Sequence, residues 1–146
     1  MQITRQADYA VRAVLYLAKQ GEAGRAPTSR IAQEMRIPPS FLAKIVSQLS
    51  VAGVVQTSRG ARGGVALARE PKEITLLEVI EAIDGPITLN ECVPDRSSCA
   101  FGEDCTVHDV WRDTQSKLVE ELAGTHFGGL ISHNGRKAHV PVLAGA

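Results

Sequence analysis

The sequence predicts a mainly α-helical protein that carries one small β-hairpin. Apolar residues recur at helical spacing in several separate segments, and one glycine-rich segment has alternating apolar and polar residues on both sides. A late segment with helical spacing contains the single tryptophan. At 146 residues, the chain is long enough for one domain with a buried core, or for a small domain with an appendage.

The first helix is predicted over residues 6–20, where apolar side chains follow helical spacing, and Gly21 ends it. Asp8 lies in the opening turn of this helix. A carboxylate at that position interacts favourably with the helix dipole, which is the ordinary interpretation of Asp8.

Two short helices follow, over residues 28–37 and 40–53, with few residues between them. Pro39 suits the first position of the second helix, and Gly53 suits its end. Such a pair has the form of a helix-turn-helix, whose second helix can contact phosphates or base edges in the major groove of DNA. Its outer side carries Ser40, Lys44, Ser47 and Gln48.

Residues 54–69 predict a β-hairpin whose tip, residues 58–64, presents Arg59 and Arg62 among three glycines. A nucleotide phosphate loop is disfavoured, because the Lys-Ser/Thr ending is absent and a strand follows instead of a helix. A hairpin directly after a helix-turn-helix is a wing, and arginines at its tip can enter the minor groove, whose negative potential attracts them. The alternative is a solvated turn with incidental arginines.

Two more helices are predicted in the second half. The first covers residues 75–85, because Thr75 and Glu78 form a capping box. The second runs over about residues 106–122, with Trp111 on its apolar side. Since this side has little left in its own domain to contact, we expect a twin helix from a second subunit to bury it, as in two-fold dimers. Packing on the first helix of the same chain is the alternative.

These elements divide the chain into three parts. Residues 1–70 form the predicted winged helix-turn-helix domain, and residues 71–123 hold a cysteine-containing loop and the long dimerisation helix. Residues 124–146 form a short tail that we expect to be partly mobile. Its histidines are too scattered to indicate a site: His126, His133 and His139.

Residues 92–108, called the cysteine loop below, contain all three cysteines of the chain and a histidine three residues after the last of them. Pro94 and Gly102 interrupt regular structure, so these closely spaced thiolates can converge on one point. An iron-sulfur cluster needs four protein ligands, and histidine is a known substitute for cysteine at one iron. The four candidate ligands are Cys92, Cys99, Cys105 and His108.

Other interpretations of the cysteines stay open. Three cysteines and one histidine also make an ordinary structural zinc set, although the C-x2-C pairs typical of zinc are absent. The thiols could instead form a redox switch, or one disulfide with a spare thiol. They could also be inert cysteines that fill space in the core.

Charge is distributed unevenly along a chain whose formal net charge is zero. Residues 1–70 carry ten Lys/Arg against four Asp/Glu, whereas residues 71–146 carry six against twelve, so the halves have formal charges of +6 and −6. This asymmetry is typical of a nucleic-acid-binding module joined to a sensing or pairing module. An uneven scatter of surface charge is the alternative.

Compartment and class follow from what the sequence lacks. No apolar run approaches the roughly 18 residues that a membrane span requires, and the start is unlike a signal peptide. We therefore expect a cytoplasmic protein without a membrane partner, in a compartment where thiols stay reduced, which favours a metal over a disulfide. No nucleophile-base pair or paired carboxylates indicate an enzyme.

In this order the parts resemble the Rrf2 superfamily of bacterial winged-helix transcription regulators. Four segments carry the resemblance, which covers roughly residues 1–131: the opening QITRQADYAVRAVLYLA, the wing SRGARGGVALA, the helix ITLLEVIEAIDG, and C-x6-C-x5-C-x2-H followed by VWRD. The resemblance implies a homodimer that binds pseudo-palindromic double-stranded promoter DNA and carries one iron-sulfur cluster per subunit. The implied DNA-binding residues are Ser40, Phe41, Lys44, Arg59 and Arg62. The implied cluster ligands are Cys92, Cys99 and Cys105.

The resemblance leaves the fourth ligand open, because two branches of the superfamily use different residues. A histidine after the third cysteine serves in the cluster-regulator branch, as His108 would here. An acidic residue of the partner subunit serves in the nitric-oxide-sensing branch, as Asp8 of the partner subunit would. We favour His108. The first cysteine gap is one residue longer than in both branches, so the cluster is 2Fe-2S or 4Fe-4S.

The function expected from the residues and the resemblance is a cluster-dependent DNA-binding transcription regulator that responds to iron, redox or nitric oxide state. Ala43, in the middle of the recognition helix, cannot hydrogen-bond a base, which leaves the preferred DNA sequence open. Two alternatives are a metal-free winged-helix regulator that senses thiol oxidation or a ligand, and an iron-sulfur carrier protein.

Overall fold

Six α-helices and one antiparallel β-hairpin occur in the part of the chain that the computed structural model describes, residues 1–21 and 24–132 without the side chain of Glu103. The elements are α1 (Arg5–Lys19), α2 (Thr28–Met35), α3 (Pro39–Val51), β1 (Val55–Ser58), β2 (Gly64–Leu67), α4 (Leu76–Asp84), α5 (His108–Gly124) and α6 (Phe127–Ser132). The predicted mainly α-helical fold with one hairpin is confirmed. Each predicted helix and strand is present, with bounds shifted by a few residues at most.

Helix α1 lies at the centre of the fold because one of its sides is apolar along its whole length. It contacts α2, α3, α4 and α6, and Val14 and Leu17 on it are buried. Thr4 caps its start, since the Thr4 hydroxyl oxygen accepts a hydrogen bond from the Ala7 N–H at 3.2 Å. The N–H and hydroxyl of Thr4 also donate to the carboxylate of Asp84, which attaches the start of α1 to the end of α4.

The turn between α2 and α3 has an unusual backbone. Arg36 ends α2 in the left-handed conformation, with φ 54° and ψ 48°, and it is the one non-glycine residue with positive φ in the described ranges. Ile37 is buried beside it, and Pro39 is the first residue of α3, as predicted. Gly53, at φ 74°, ends the helix and leads into the hairpin.

The hairpin pairs β1 with β2 in an antiparallel register that places Val55 opposite Leu67. A third segment extends this sheet, because Ala26 exchanges backbone hydrogen bonds with Val65 at 2.8 and 3.0 Å. Gly64 permits this close pairing: its φ is 143°, and a Cβ there would lie 2.5 Å from the carbonyl oxygen of Ala26. The wing is therefore attached to the connection between α1 and α2.

Helix α4 begins at the predicted capping box. The Thr75 hydroxyl accepts from the Glu78 N–H at 3.1 Å, and the Glu78 carboxylate accepts from the Thr75 N–H at 3.0 Å. Arg69, just after the hairpin, donates to the same carboxylate at 2.7 Å and to the carbonyl oxygens of Gly53 and Glu73. One side chain thus connects the end of α3, the hairpin and α4.

The first part of the expected tail forms α6, a helix that the sequence did not predict. Phe127 is fully buried, and its N–H donates to the carbonyl oxygen of Ile74 at 3.0 Å. Helix α6 also packs against α1. The mobile tail expected from the sequence therefore does not begin at residue 124, while residues 133–146, with two of the three scattered histidines, lie outside the described residues.

Helix α5 is exposed along most of its length. His108, its first residue, is buried, whereas Val110 and Trp111 stay exposed on the next turn. The helix contacts α4. Although α5 is the longest helix, neither it nor any other helix within the described ranges has the length and apolar character needed to cross a bilayer.

Candidate functional site

The outer face of α3 is the first candidate surface. Its inner face is buried in the core through Leu42, Ile45, Val46 and Leu49. The helical period therefore turns Ser40 and Lys44 outward, and both are exposed, as the sequence predicted. Phe41 is exposed as well, although its apolar character and helical spacing predict that it belongs to the buried stripe of this helix. Gln48 departs from the prediction, because it is half-buried and its side-chain oxygen is buried without a partner among the described residues.

A contact between α1 and α3 joins Phe41 to a charged group. The rings of Tyr9 and Phe41 lie edge to face, with centroids 6.1 Å apart. The Arg12 guanidinium lies 5.4 Å from the Tyr9 ring centroid and forms an ion pair with Asp8. The start of α1 is thereby connected to the start of α3, and the Asp8 carboxylate already has a cation as its partner.

Sequence reasoning missed Tyr9 and Arg12 as neighbours of the recognition helix. The spacing of four residues between Asp8 and Arg12 is typical of a helical ion pair and could have indicated that bond. The Tyr9–Phe41 contact has no comparable signal, because it joins two helices far apart in the sequence.

The tip of the wing exposes both predicted arginines. Arg59 and Arg62 are exposed, and no carboxylate in the described part of the chain lies within salt-bridge distance of either. Gly60, at φ 102°, bends the tip, and the Gly63 N–H donates to its carbonyl oxygen at 2.9 Å. The tip is a tight polar turn that presents two positive charges to solvent.

The cysteine loop is irregular apart from two short 3₁₀ turns, Arg96–Ser98 and Gly102–Asp104. Its conformation is stabilised by local hydrogen bonds, such as the one from the Gly102 N–H to the carbonyl oxygen of Cys99 at 3.0 Å. The three cysteines are free thiols, each half-buried: Cys92, Cys99 and Cys105.

His108 differs from the cysteines in its surroundings. It is only 6% exposed, and its Nδ1 has no hydrogen-bond partner among the described residues. A buried polar atom without a partner costs about 1–3 kcal/mol. The imidazole thus lies in the protein interior, and its Nδ1 is still available as a hydrogen-bond donor or as a metal ligand.

The predicted convergence of the four candidate ligands is absent from the structure. Within residues 1–21 and 24–132, no group of three or more His, Cys, Asp or Glu side chains is arranged to hold a metal ion. The types of side chain nevertheless suit an iron-sulfur cluster. They are three free thiols and a buried imidazole nitrogen that has no hydrogen-bond partner among the described residues.

Ion pairs and hydrogen bonds attach the cysteine loop and the segment before it to α5. Asp109 lies 3.6 Å from Arg96 in the loop and 2.9 Å from Arg112 on the helix. The Gln115 side-chain oxygen accepts from the Leu89 N–H at 2.9 Å. A change in the shape of the loop would therefore be felt at the first two turns of α5.

Asp95 adds negative charge within the loop. Both the hydroxyl and the backbone N–H of Ser97 donate to the Asp95 carboxylate. These two hydrogen bonds, chiefly the one from the hydroxyl, lower the pKa of Asp95 below its ordinary value. The carboxylate is thus charged at neutral pH, in the same loop as the three candidate cysteine ligands.

An apolar surface lies at the start of α5. Phe101 in the loop is 76% exposed, Val110 is 55% exposed and Trp111 is 38% exposed. Val110 and Trp111 follow one another on the first turn of α5, and a contiguous exposed apolar patch is typical of an interaction surface. The homodimer expected from the sequence would cover this side of the helix.

The chain is similar to known transcription regulators over nearly its whole length. Residues 3–133 match the Rrf2 family, which is described as an iron-dependent transcriptional regulator. The HTH-type transcriptional regulator IscR of Aliivibrio salmonicida is 34% identical over 134 residues, which cover 92% of this chain and 79% of that protein.

Solved structures show the same likeness. CymR, the global cysteine regulator of B. subtilis, is 29% identical with a TM-score of 0.76, and the match covers 90% of this chain and 97% of that one. The structure of T. potens IscR has a TM-score of 0.74 at 22% identity, covering 95% of this chain and 91% of that one, which shows the fold alone. The predicted winged helix-turn-helix fold is confirmed by these likenesses.

Proposed function

We propose that this chain, which belongs to the Rrf2 family of transcriptional regulators, changes its affinity for promoter DNA with the state of an iron-sulfur cluster on the cysteine loop. It is a transcriptional regulator and not an enzyme. The observation that carries the cluster proposal is the buried Nδ1 of His108, which has no hydrogen-bond partner among the described residues and lies three residues after the last of three free thiols. A DNA-binding regulator of this kind acts in the cytoplasm.

The DNA-binding half of the proposal rests on two exposed groups of residues. Helix α3 would enter the major groove with Ser40, Phe41 and Lys44, which are exposed on its first turns. Arg59 and Arg62, which have no carboxylate partners among the described residues, would bind phosphates or the minor groove from the wing.

We further propose a homodimer on pseudo-palindromic DNA. The support is the exposed apolar start of α5, which a second copy of the helix would bury. A two-fold dimer repeats its recognition helix at a spacing of about 34 Å, one turn of DNA. A small change in the angle between the two copies would therefore weaken both half-site contacts together.

The residues that would hold the cluster are Cys92, Cys99, Cys105 and His108. When bound, the cluster would supply a redox-active centre at this site. Asp8 of the partner subunit is the less favoured fourth ligand, because Asp8 is engaged in an ion pair with Arg12 in the structure. Counts of iron and sulfide per subunit distinguish a 2Fe-2S cluster from a 4Fe-4S cluster.

The path from the cysteine loop to DNA runs through α5. Arg96 in the loop pairs with Asp109 on the first turn of α5, and the Leu89 N–H before the loop donates to the side chain of Gln115. The first two turns of α5 are therefore attached to the loop and to the segment before it. Loss or oxidation of the cluster would alter the loop, then the dimer helix, and finally the angle between the two α3 helices.

A second function is favoured by the state of the cysteines. They are free, half-buried and not gathered into a metal-binding group among the described residues. The chain is also similar to CymR, whose description is that of a global cysteine regulator. A winged-helix regulator that responds to thiol oxidation without a metal is therefore the alternative proposal.

Purification without oxygen, with an absorption spectrum and counts of iron and sulfide, tests the cluster directly. We expect coloured protein, with iron and sulfide lost in Cys92→Ala and His108→Ala and retained in Asp8→Ala. His126→Ala is the matched control, because His126 is half-buried and its Nδ1 already contacts the carbonyl oxygen of Gly124 at 3.2 Å.

DNA affinity of the same preparations separates the two proposals. A change of affinity on removing the cluster supports the first. Colourless, iron-poor protein whose affinity changes only on thiol oxidation supports the second. Iron-rich protein that ignores DNA would contradict both and would indicate a cluster carrier.

A further inference from the structure

The turn of the helix-turn-helix contains a backbone conformation that its side chain opposes. Arg36 has φ 54° and ψ 48°, the left-handed region in which the Cβ of an L-residue crowds the following carbonyl. Helices that end in this way commonly have glycine at this position, because glycine has no Cβ. The left-handed backbone conformation at position 36 is therefore less favourable for arginine than it would be for glycine.

The bonds that form the turn do not require the arginine side chain. The Arg36 N–H donates to the carbonyl oxygens of Ala32 and Gln33, and the Ile37 N–H donates to Ala32 at 2.9 Å. All of these donors and acceptors belong to the backbone. Glycine at position 36 would make the same bonds without the crowding.

The charge of Arg36 is also unused within the described part of the protein. Its side chain is exposed, and none of the ion pairs or side-chain hydrogen bonds of the described residues includes it. Arg30 on the same helix contrasts with it, because Arg30 pairs with Glu34 at 3.0 Å. The guanidinium of Arg36 is thus free to bind a group outside the chain.

The position of Arg36 indicates what that group is. Ser40, on the first turn of α3, is four residues further on, so the two Cα atoms are at most about 14 Å apart. The major groove that α3 would enter is about 12 Å wide, with phosphates along both rims. A long cationic side chain beside the start of the helix therefore reaches a rim when the helix lies in the groove.

We propose that Arg36 is a DNA-contacting residue that binds a backbone phosphate at the edge of the groove occupied by α3. Its side chain supplies a charge that glycine lacks, at the expense of a more favourable turn. The inference rests on the proposed DNA-binding function, and it adds a residue from the turn to the contacts from α3 and the wing.

The test is a pair of measurements on Arg36→Gly and Arg36→Asn, since both residues tolerate the left-handed conformation and neither is charged. We expect Arg36→Gly to raise the Tm by about 2–4 °C. Both variants should bind a labelled duplex of random sequence more weakly, and the slope of log affinity against log salt should fall by about 0.9 for each phosphate that the variant no longer binds.

Lys72→Gln is the charge-matched control, because Lys72 is exposed outside the proposed DNA-binding surface and pairs with Glu70 at 2.8 Å. An equal loss of salt slope in this control would attribute the effect to net charge and overturn the inference. A wild-type slope in Arg36→Gly, or a lower Tm in that variant, would overturn it as well. If wild-type protein failed to bind any duplex, the proposed DNA-binding function itself would be overturned.

Discussion

Two opposing influences act on Glu78, the acidic residue of the capping box. Burial raises the pKa of its carboxyl. The hydrogen bonds from Arg69 and from the Thr75 N–H, together with the charge of Arg69, lower the pKa by more than burial raises it. The net result is a pKa below the ordinary glutamate value. The carboxylate is therefore more stable in the folded protein than in the unfolded chain.

A lowered pKa makes this contribution depend on pH in one direction. It is complete above the unfolded value of about 4.3 and is lost as pH falls through the folded value. We expect Glu78→Gln to lower the free energy of unfolding by about 1 kcal/mol at about pH 7, allowing for solvent screening, and by less at about pH 3. Urea unfolding at both pH values measures the difference, with Glu120→Gln as control. Equal losses at both pH values would contradict the assignment.

Arg59 is the residue on which the wing assignment depends most directly. We expect Arg59→Ala to weaken DNA binding and to reduce its salt dependence, because a wing that binds fewer phosphates releases fewer counterions from the DNA. Fluorescence anisotropy over a range of salt concentrations measures both quantities, and Gln56→Ala, an exposed and uncharged position on β1, is the control. An unchanged salt slope would show that the wing tip does not contact DNA.

Among the elements, those with local signals were the ones that the sequence could predict. The capping box of α4, Pro39 at the start of α3 and the glycine-rich hairpin each have a pattern within a few residues. Helix α6 has none, since its six residues include two glycines and one large buried side chain. Its helical state depends on burying Phe127 against distant elements, which no local period records.

Only part of the candidate site could be predicted for the same reason. Exposure of Lys44 and Arg59 follows from helical period and hairpin geometry, and both predictions are confirmed. The spacing of the cysteines permits convergence but does not enforce it, because thiolates repel one another until an ion binds and metal binding is coupled to folding. Pro38 indicates that α2 ends near Arg36, but the left-handed conformation of Arg36 could not be predicted, because that conformation is usually adopted by glycine.

Helix α6 should contribute strongly to stability despite its short length. Phe127 is fully buried among core residues, so Phe127→Ala removes a large apolar group and leaves a cavity. We expect the free energy of unfolding to fall by about 3–5 kcal/mol, measured by urea or thermal unfolding. Phe101→Ala, at an exposed position, should change it little. A small effect of Phe127→Ala would mean that α6 does not dock in solution.

At the scale of the whole molecule, the described part of the chain leaves most of α5 exposed, although this helix contacts α4. The apolar start of α5 is exposed through Val110 and Trp111, while His108 at the same end of the helix is buried. If the basic first half binds DNA and the acidic second half pairs subunits, the two interactions use different residues. Dimerisation and DNA binding should therefore be separable by mutation.

Trp111→Glu tests this separation, since a charge placed in a buried apolar interface is strongly unfavourable. We expect monomers in sedimentation velocity and a large loss of affinity for pseudo-palindromic DNA, whereas binding to a single half-site and cooperative thermal unfolding of the chain are retained. Lys117→Glu is the control, because Lys117 is exposed and lies about 120° around α5 from Trp111. A dimer that survived Trp111→Glu would place the interface elsewhere.

The threefold bonding of Arg69 bears on how a signal would reach DNA. Its guanidinium donates to the carbonyl oxygen of Gly53, two residues after α3, and to the carbonyl oxygen of Glu73, before α4. It also donates to the Glu78 carboxylate in the first turn of α4. Any rotation of α4 would consequently shift the root of the wing, and the two would behave as one lever. Information from the cysteine-bearing half would then arrive at the arginine tip as a displacement of the entire hairpin, without any melting of its strands.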